Sequence, residues 1–214
     1  AWDMFEEALK YLTQANAEEL IVQTQLNLVD VSRHVGWWER AKSYVDQSLS
    51  RVQSLGSDIL TGNAHFYAGA LYHQLDDHKA AGENYTLSSQ AFERAGNNLG
   101  LANCINALGN LARQAGQFEQ AEVAFRNAMQ LHQKIGSAQD LTPMMSLALA
   151  HLETGNMGAA RELLEMGCLR CRKSKKNHIL GCALACLLPC YANAEDWAKW
   201  DAAIDESRAL LTET

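Results

Sequence analysis

Apolar and polar positions recur along this chain at helical spacing, and the spacing itself repeats. An alanine stands at Ala1, Ala41, Ala81, Ala121 and Ala160. Four residues after each comes a bulky apolar residue, namely Phe5, Val45, Tyr85, Phe125 and Leu164. Three further on sits a small one: Ala8, Ser48, Ser88, Ala128 and Gly167. Steps of four and three keep all three on one face of a helix, so each set predicts one packing stripe. The period is 40 residues, with one step of 39.

A second helix is predicted before each stripe. Its marks are the pairs Leu28-Val29, Ala68-Gly69, Leu108-Gly109 and Leu147-Ala148. A tight turn follows at Gly36, Asp76, Gly116 and Gly155, and two residues later Trp38, His78, Phe118 and Met157 open the next helix. Between repeats, Asn16, Gly56, Gly96 and Gly136 keep the same period. These are largely residue types that tolerate the left-handed conformation after a helix C-terminus. A divergent sixth unit keeps register through Leu187-Leu188, Tyr191, Trp197, Ile204 and Ser207, with Trp200 where alanine is expected. The pattern predicts an all-α chain of about eleven helices, each of about seventeen residues, in antiparallel pairs.

The stretch LGNLARQAGQFEQAEVAFRNAM (108–129) resembles a tetratricopeptide repeat in its Leu-Gly pair, Gly turn, aromatic residue and Ala-Phe-Ala stripe. YAGALYHQLDDHKAAGENYTLSS (67–89), with Tyr72, is similar. The period here, 40 residues, exceeds the family's usual ~34, as in the long-repeat variety of bacterial signal-transduction ATPases, kinase fusions and peptide-sensing regulators. The resemblance implies a right-handed α-solenoid forming one array over 1–214. It consists of a second helix (1–15), repeats at 17–55, 57–95, 97–135 and 138–174, and a divergent repeat at 177–214. Because the chain starts inside a repeat and ends without a polar capping helix, a fragment of a larger protein is expected.

Composition agrees with helices: two prolines, few β-branched residues, much Ala and Leu. A net charge of −7 disfavours nucleic-acid and anionic-membrane partners. The longest apolar run, 179–191, is too short to cross a bilayer. No signal peptide precedes it, and the six cysteines bunch toward one end. A reduced, cytoplasmic setting is expected.

The resemblance implies that first helices line a concave groove holding a protein or peptide partner. Projection of the first helices selects Asn27, Arg33, Asn63, Tyr67, His73, Asn103, Asn106, Asn110, Arg113 and Gln114 for that groove, with Gln23, Asp30, His34, Phe66 and Gln74 beside them. An Asn amide pairs with a peptide backbone whatever its side chains, and an Arg fork takes a carboxylate or phosphate. Solvated polar positions are the plainer alternative. In later repeats the same face reads Thr142, Met145, Ser146, Leu149, Leu152, then Cys182, Ala185, Cys186 and Pro189. That apolar run predicts an anchor pocket or contact with an adjacent domain of the same chain.

No Gly-rich phosphate loop, HExxH or paired-carboxylate arrangement stands out, so no catalysis is expected. His151 falls at a core position, and the basic run RCRKSKK (170–176) falls at an inter-repeat turn. CLRCRKSKKNHILGCALACLLPC (168–190) suggests a metal or redox site at first sight. The repeat register assigns Cys168, Cys171, Cys190 and the distant Cys104 to packing positions, leaving Cys182 and Cys186 on the groove face. Neither metal nor cofactor is expected. Two alternatives remain: a thiol- or metal-responsive sensor built on 168–190, and a structural dimerisation segment.

Overall fold

The repeating turns determine where each helix stops. The computed structural model describes residues 2–136 and 141–212, and among these it contains helices and no strand. The helices are α1 (Trp2–Gln14), α2 (Glu18–Val35), α3 (Trp38–Leu55), α4 (Asp58–Gln74), α5 (His78–Arg94) and α6 (Asn98–Gln114). They continue with α7 (Phe118–Lys134), α8 (Leu141–Glu153), α9 (Met157–Ser174), α10 (Asn177–Asn193) and α11 (Trp197–Thr212).

Every expected turn residue has a positive φ: Asn16, Gly36, Gly56, Asp76, Gly96, Gly116, Gly136 and Gly155. At most of these turns the residue after the turn returns its N–H to the carbonyl five residues back. Examples are Trp37 to Ser32 at 2.8 Å, Asn97 to Phe92 at 2.8 Å and Asn156 to His151 at 2.8 Å. This bond satisfies a carbonyl that the helix end would leave orphaned. Lys175 and Glu195 adopt the same conformation, φ 54° and 53°, at the equivalent points of the later units, where no glycine advertises the turn. Some of the following helices are capped by a short polar side chain, as where Asp77 accepts from the Ala80 N–H at 3.0 Å and Asn97 from Gly100 at 3.0 Å, whereas α2, α3, α7 and α10 have no side-chain cap.

The stripes are the core. Ala41, Ala81, Ala121 and Ala160 are fully buried, as are Val45, Phe125 and Leu164 or nearly so. Ala1 lies outside the described residues. Serines at the small position serve a second purpose. Ser88 Oγ donates to the Gly62 carbonyl at 2.7 Å, and Ser207 Oγ to the Gly181 carbonyl at 2.9 Å, pinning each second helix to the first helix of its pair.

The chain divides into two compact units, residues 1–108 and 109–214, the division falling within α6. In the first unit α2 packs against α3 and α4, and Val22, Leu26, Val29, Val45, Val52, Ala64, Ala68 and Leu71 form its interior. At its start Trp2 meets Trp37 edge-on at 5.1 Å, and the Arg40 guanidinium lies over both rings. The second unit buries Phe125, Leu147, Leu164, Leu184 and Leu187 together with Cys168, Cys171 and Cys190. His151 is buried there, as its register predicts. Among the described residues no helix is long and apolar enough to cross a membrane.

Candidate functional site

Helical register distributes the groove candidates over three first helices. Asn27 and Arg33 lie on α2, Asn63, Tyr67 and His73 on α4, and Asn103 and Asn106 on the first unit's part of α6. Asn110, Arg113 and Gln114 lie on the second unit's part of α6. Asn27 and Gln114 are exposed, and the others are half-buried.

The arginines are engaged within their own units. Arg33 Nη2 donates to Asp30 Oδ1 at 2.6 Å and Nη1 to Gln74 Oε1 at 3.0 Å, with 18% of its side chain exposed. Arg113, 17% exposed, pairs through Nη1 with Glu153. Both leave Nε buried without a partner. Gln74 and Glu153 occupy the same repeat position, since 40 residues take Gln74 to Gln114 and 39 more reach Glu153. Each arginine therefore ties the first helix of one pair to the first helix of the next. A ligand carboxylate would have to displace partners already held in a largely desolvated place.

The asparagines stand differently. Among the described residues Asn63 and Asn103 form no side-chain hydrogen bond. Asn106 keeps its amide carbonyl oxygen buried and unpartnered. Native structures leave few buried polar atoms unpaired, so such an atom calls for an explanation.

Asn63 and Asn103 both line an open cleft of about 230 Å³ between α4 and α6. Phe66, Tyr67 and Leu99 form its apolar walls, and Phe92, Asn97 and Gly100 complete it. Tyr67 meets Phe66 edge-on at 6.2 Å. Burial raises the Tyr67 pKa; the Asp30 carboxylate adds to this and Arg33 opposes it. The phenol thus stays protonated and can donate. The Phe92 ring sits 2.7 Å from where a Cβ at Gly62 would stand and 2.6 Å from one at Gly100. These two helical glycines admit the ring. His73 stands apart from the cleft, with His78 at 5.9 Å.

Projection of the first helices finds Asn63, Phe66, Tyr67 and Asn103, but not Phe92, Leu99 or Gly100. Phe92 comes from a second helix, and its register marks it as packing. The available signal is glycine inside a helix and out of the turn period, as at 62 and 100.

In the second unit the apolar face is partly absorbed by the unit's own core, since Met145, Leu152 and Cys186 pack against it. Cys104, Cys168, Cys171 and Cys190 are buried, Cys182 is exposed and Cys186 half-buried. Burial pushes the Cys104 and Cys168 thiols up to about 11, and the Ser88 hydroxyl, 3.1 Å from Cys104 Sγ, offsets part of that shift. Among the described residues no three His, Cys, Asp or Glu side chains gather into a metal site. The basic run is partly ion-paired, Arg172 reaching Glu206 through two hydrogen bonds of 3.2 and 2.7 Å.

Residues 61–134 match the tetratricopeptide-repeat family model. No curated protein matches the chain. Among solved structures, BtubC (BKLC) from P. vanneervenii is 19% identical with a TM-score of 0.83, the match covering 98% of this chain and 87% of that one. A signal-transduction ATPase with a tetratricopeptide-repeat sensor, from Pyrococcus horikoshii, is 15% identical with a TM-score of 0.82. That match covers 98% of this chain and 33% of the ATPase, so this chain spans about a third of that protein's length. A Rap protein complexed with Competence and Sporulation Factor is 15% identical with a TM-score of 0.78, covering 99% of this chain and 68% of the Rap chain. At these identities the likeness speaks for the fold. Residues 61–134 thus match the tetratricopeptide-repeat family, and the chain as described shares its fold with solved helical-repeat structures.

Proposed function

We propose that this chain is a non-catalytic interaction module that holds a protein or peptide segment against the first-helix faces of α2, α4 and α6. It acts as the interaction or sensor part of a larger cytoplasmic signalling or regulatory protein. The observation that carries this reading is the contrast between amides and guanidiniums. Asn63 and Asn103 stand on successive first helices with their hydrogen-bonding capacity unused among the described residues, whereas Arg33 and Arg113 are engaged. An amide offers donor and acceptor together and reads a peptide backbone without regard to sequence. The orphaned Asn106 oxygen accepts a backbone N–H when a segment lies there. The fold it shares with a tetratricopeptide-repeat sensor and with a Rap protein seen in complex with a factor supports the same reading.

The test is selection from a displayed library of random peptides. Replacing Asn63, Asn103 and Asn106 together by Ala removes three hydrogen bonds worth about 1 kcal/mol each, so capture falls by roughly a hundredfold. Undiminished capture by the triple variant contradicts the proposal.

A further inference from the structure

We infer that the cleft between α4 and α6 in the first unit is a pocket for one bulky, uncharged side chain of an internal peptide segment, and that it rejects carboxylates, phosphates and chain ends. This rests on the interaction-module reading and adds the ligand's chemistry to it.

One exchange between repeats marks the cleft. The repeat register pairs Gly100 with Leu60, 40 residues earlier. Leu60 is 4% exposed and belongs to the first unit's core. At 100 the leucine is missing, and Phe92 from α5 lies beneath, too close to admit a Cβ there. The Phe92 ring takes the place of the absent side chain and lines an opening of about 230 Å³. An engineered apolar cavity of about 150 Å³ accommodates benzene, so one aromatic ring or branched aliphatic side chain fits.

The lining sets the chemistry. No lysine, arginine, histidine or acidic residue lines the cleft. A charged side chain entering it would lose water and gain no counter-ion. Arg33, the α2 residue that sequence offers to an anion, is held by Asp30 and Gln74. Asn63 and Asn103 are register equivalents flanking the opening, so their amides meet the backbone on either side of the inserted residue. Backbone on both sides requires an internal segment rather than a terminus.

The experiment is a positional-scanning library of dodecapeptides, acetylated and amidated, with each residue type and phosphoserine fixed in turn at a central position. A parallel set ends in a free carboxylate at that position. Peptides retained by the folded protein are counted by mass spectrometry. The expected result is enrichment of Leu, Ile, Met, Phe and Trp over Ala by about tenfold, the equivalent of ~1.4 kcal/mol, with Glu, Lys, phosphoserine and the free carboxylate depleted. Leu99→Trp narrows the mouth and abolishes that preference. Asn103→Ala weakens every peptide while keeping the preference. Circular dichroism confirms that both variants fold. If peptides bind in an Asn103-dependent way without side-chain preference, or favour anions, the pocket inference is overturned and the module reading stands. If the unmodified protein retains no peptide, both are overturned.

Discussion

The two units keep the same stripes and turns yet face their surroundings with different chemistry. In the first, helical glycines receive three aromatic approaches, Phe92 at Gly62 and Gly100 and Tyr85 at Gly69, whereas in the second only the Gly109–Phe125 contact among the described residues does so. Amides on α4 and α6 are left without protein partners. In the second, leucines, methionines and cysteines pack side chain to side chain, and Gly167 meets only methionine sulfurs at ordinary contact distance. Repeat packing dictates the core positions alone. The first-helix face is free to vary, and its polar chemistry lies in the first unit and on the second unit's part of α6.

Glycine substitutions break this comparison most forcefully. Phe92→Ala removes the ring beneath the cleft and costs about 3–5 kcal/mol of stability. Gly100→Ala drives a Cβ into that ring and costs about 1–3 kcal/mol. Together the two should cost less than their sum, because the clash vanishes with the ring. Gly158→Ala in the second unit has nothing within 4 Å of the new Cβ. It should be neutral or stabilising by about 0.5–1 kcal/mol in denaturant titrations, as expected for Ala over Gly in a helix. An equal loss at 158 and 100 would erase the contrast between these two positions.

Alkaline pH sharpens it next. Burial pushes Tyr85 up to about 12, with Arg33 opposing. Tyr191 also lies at about 12, through burial and then the Glu165 carboxylate, which accepts its hydroxyl at 3.2 Å. Both phenols hold their protons more tightly when folded than when unfolded. Their contribution is therefore complete below pH ~10 and lost between about 10 and 12. Glu165→Gln should bring the Tyr191 titration down while leaving Tyr85 unchanged, as followed by ultraviolet absorbance. A shift at both tyrosines would refute the separate causes.

The arginine ties come third. Arg33→Ala and Arg113→Ala should each cost about 1 kcal/mol, since both are largely buried and hydrogen-bonded but border solvent. Arg33→Ala should not reduce peptide capture once stability is restored by lower temperature. The smallest effect is chemical. A thiol reagent at neutral pH should modify Cys182 first and Cys186 more slowly, because burial and the neighbouring Cys182 raise the Cys186 pKa. Cys104, Cys168, Cys171 and Cys190 should react only on unfolding.

The helices and most of their turns were legible in the sequence because packing repeats with the chain. The alanine stripe, the turn glycines and the burial of four cysteines follow from a period alone. The register placed a turn within 170–176 without singling out Lys175, and Glu195 escaped because its residue type does not signal a left-handed turn. The arginines read as anion receptors because their partners, Gln74 and Glu153, lie about one period away and off the register of the arginine itself. The cleft was half legible: Asn63, Tyr67 and Asn103 belong to a visible face. The rest of its lining, the Gly100–Phe92 contact, lies off that face because the ring comes from a second helix.

The central claim is that first-unit asparagine amides receive the ligand. Side-chain amide NH₂ resonances of Asn63, Asn103 and Asn106, followed during titration with the strongest library peptide, test it most directly. The account predicts saturable shifts at these amides, with Met145, Leu149 and Cys182 unmoved. Shifts confined to α8 and α10, with the three amides silent, would contradict it.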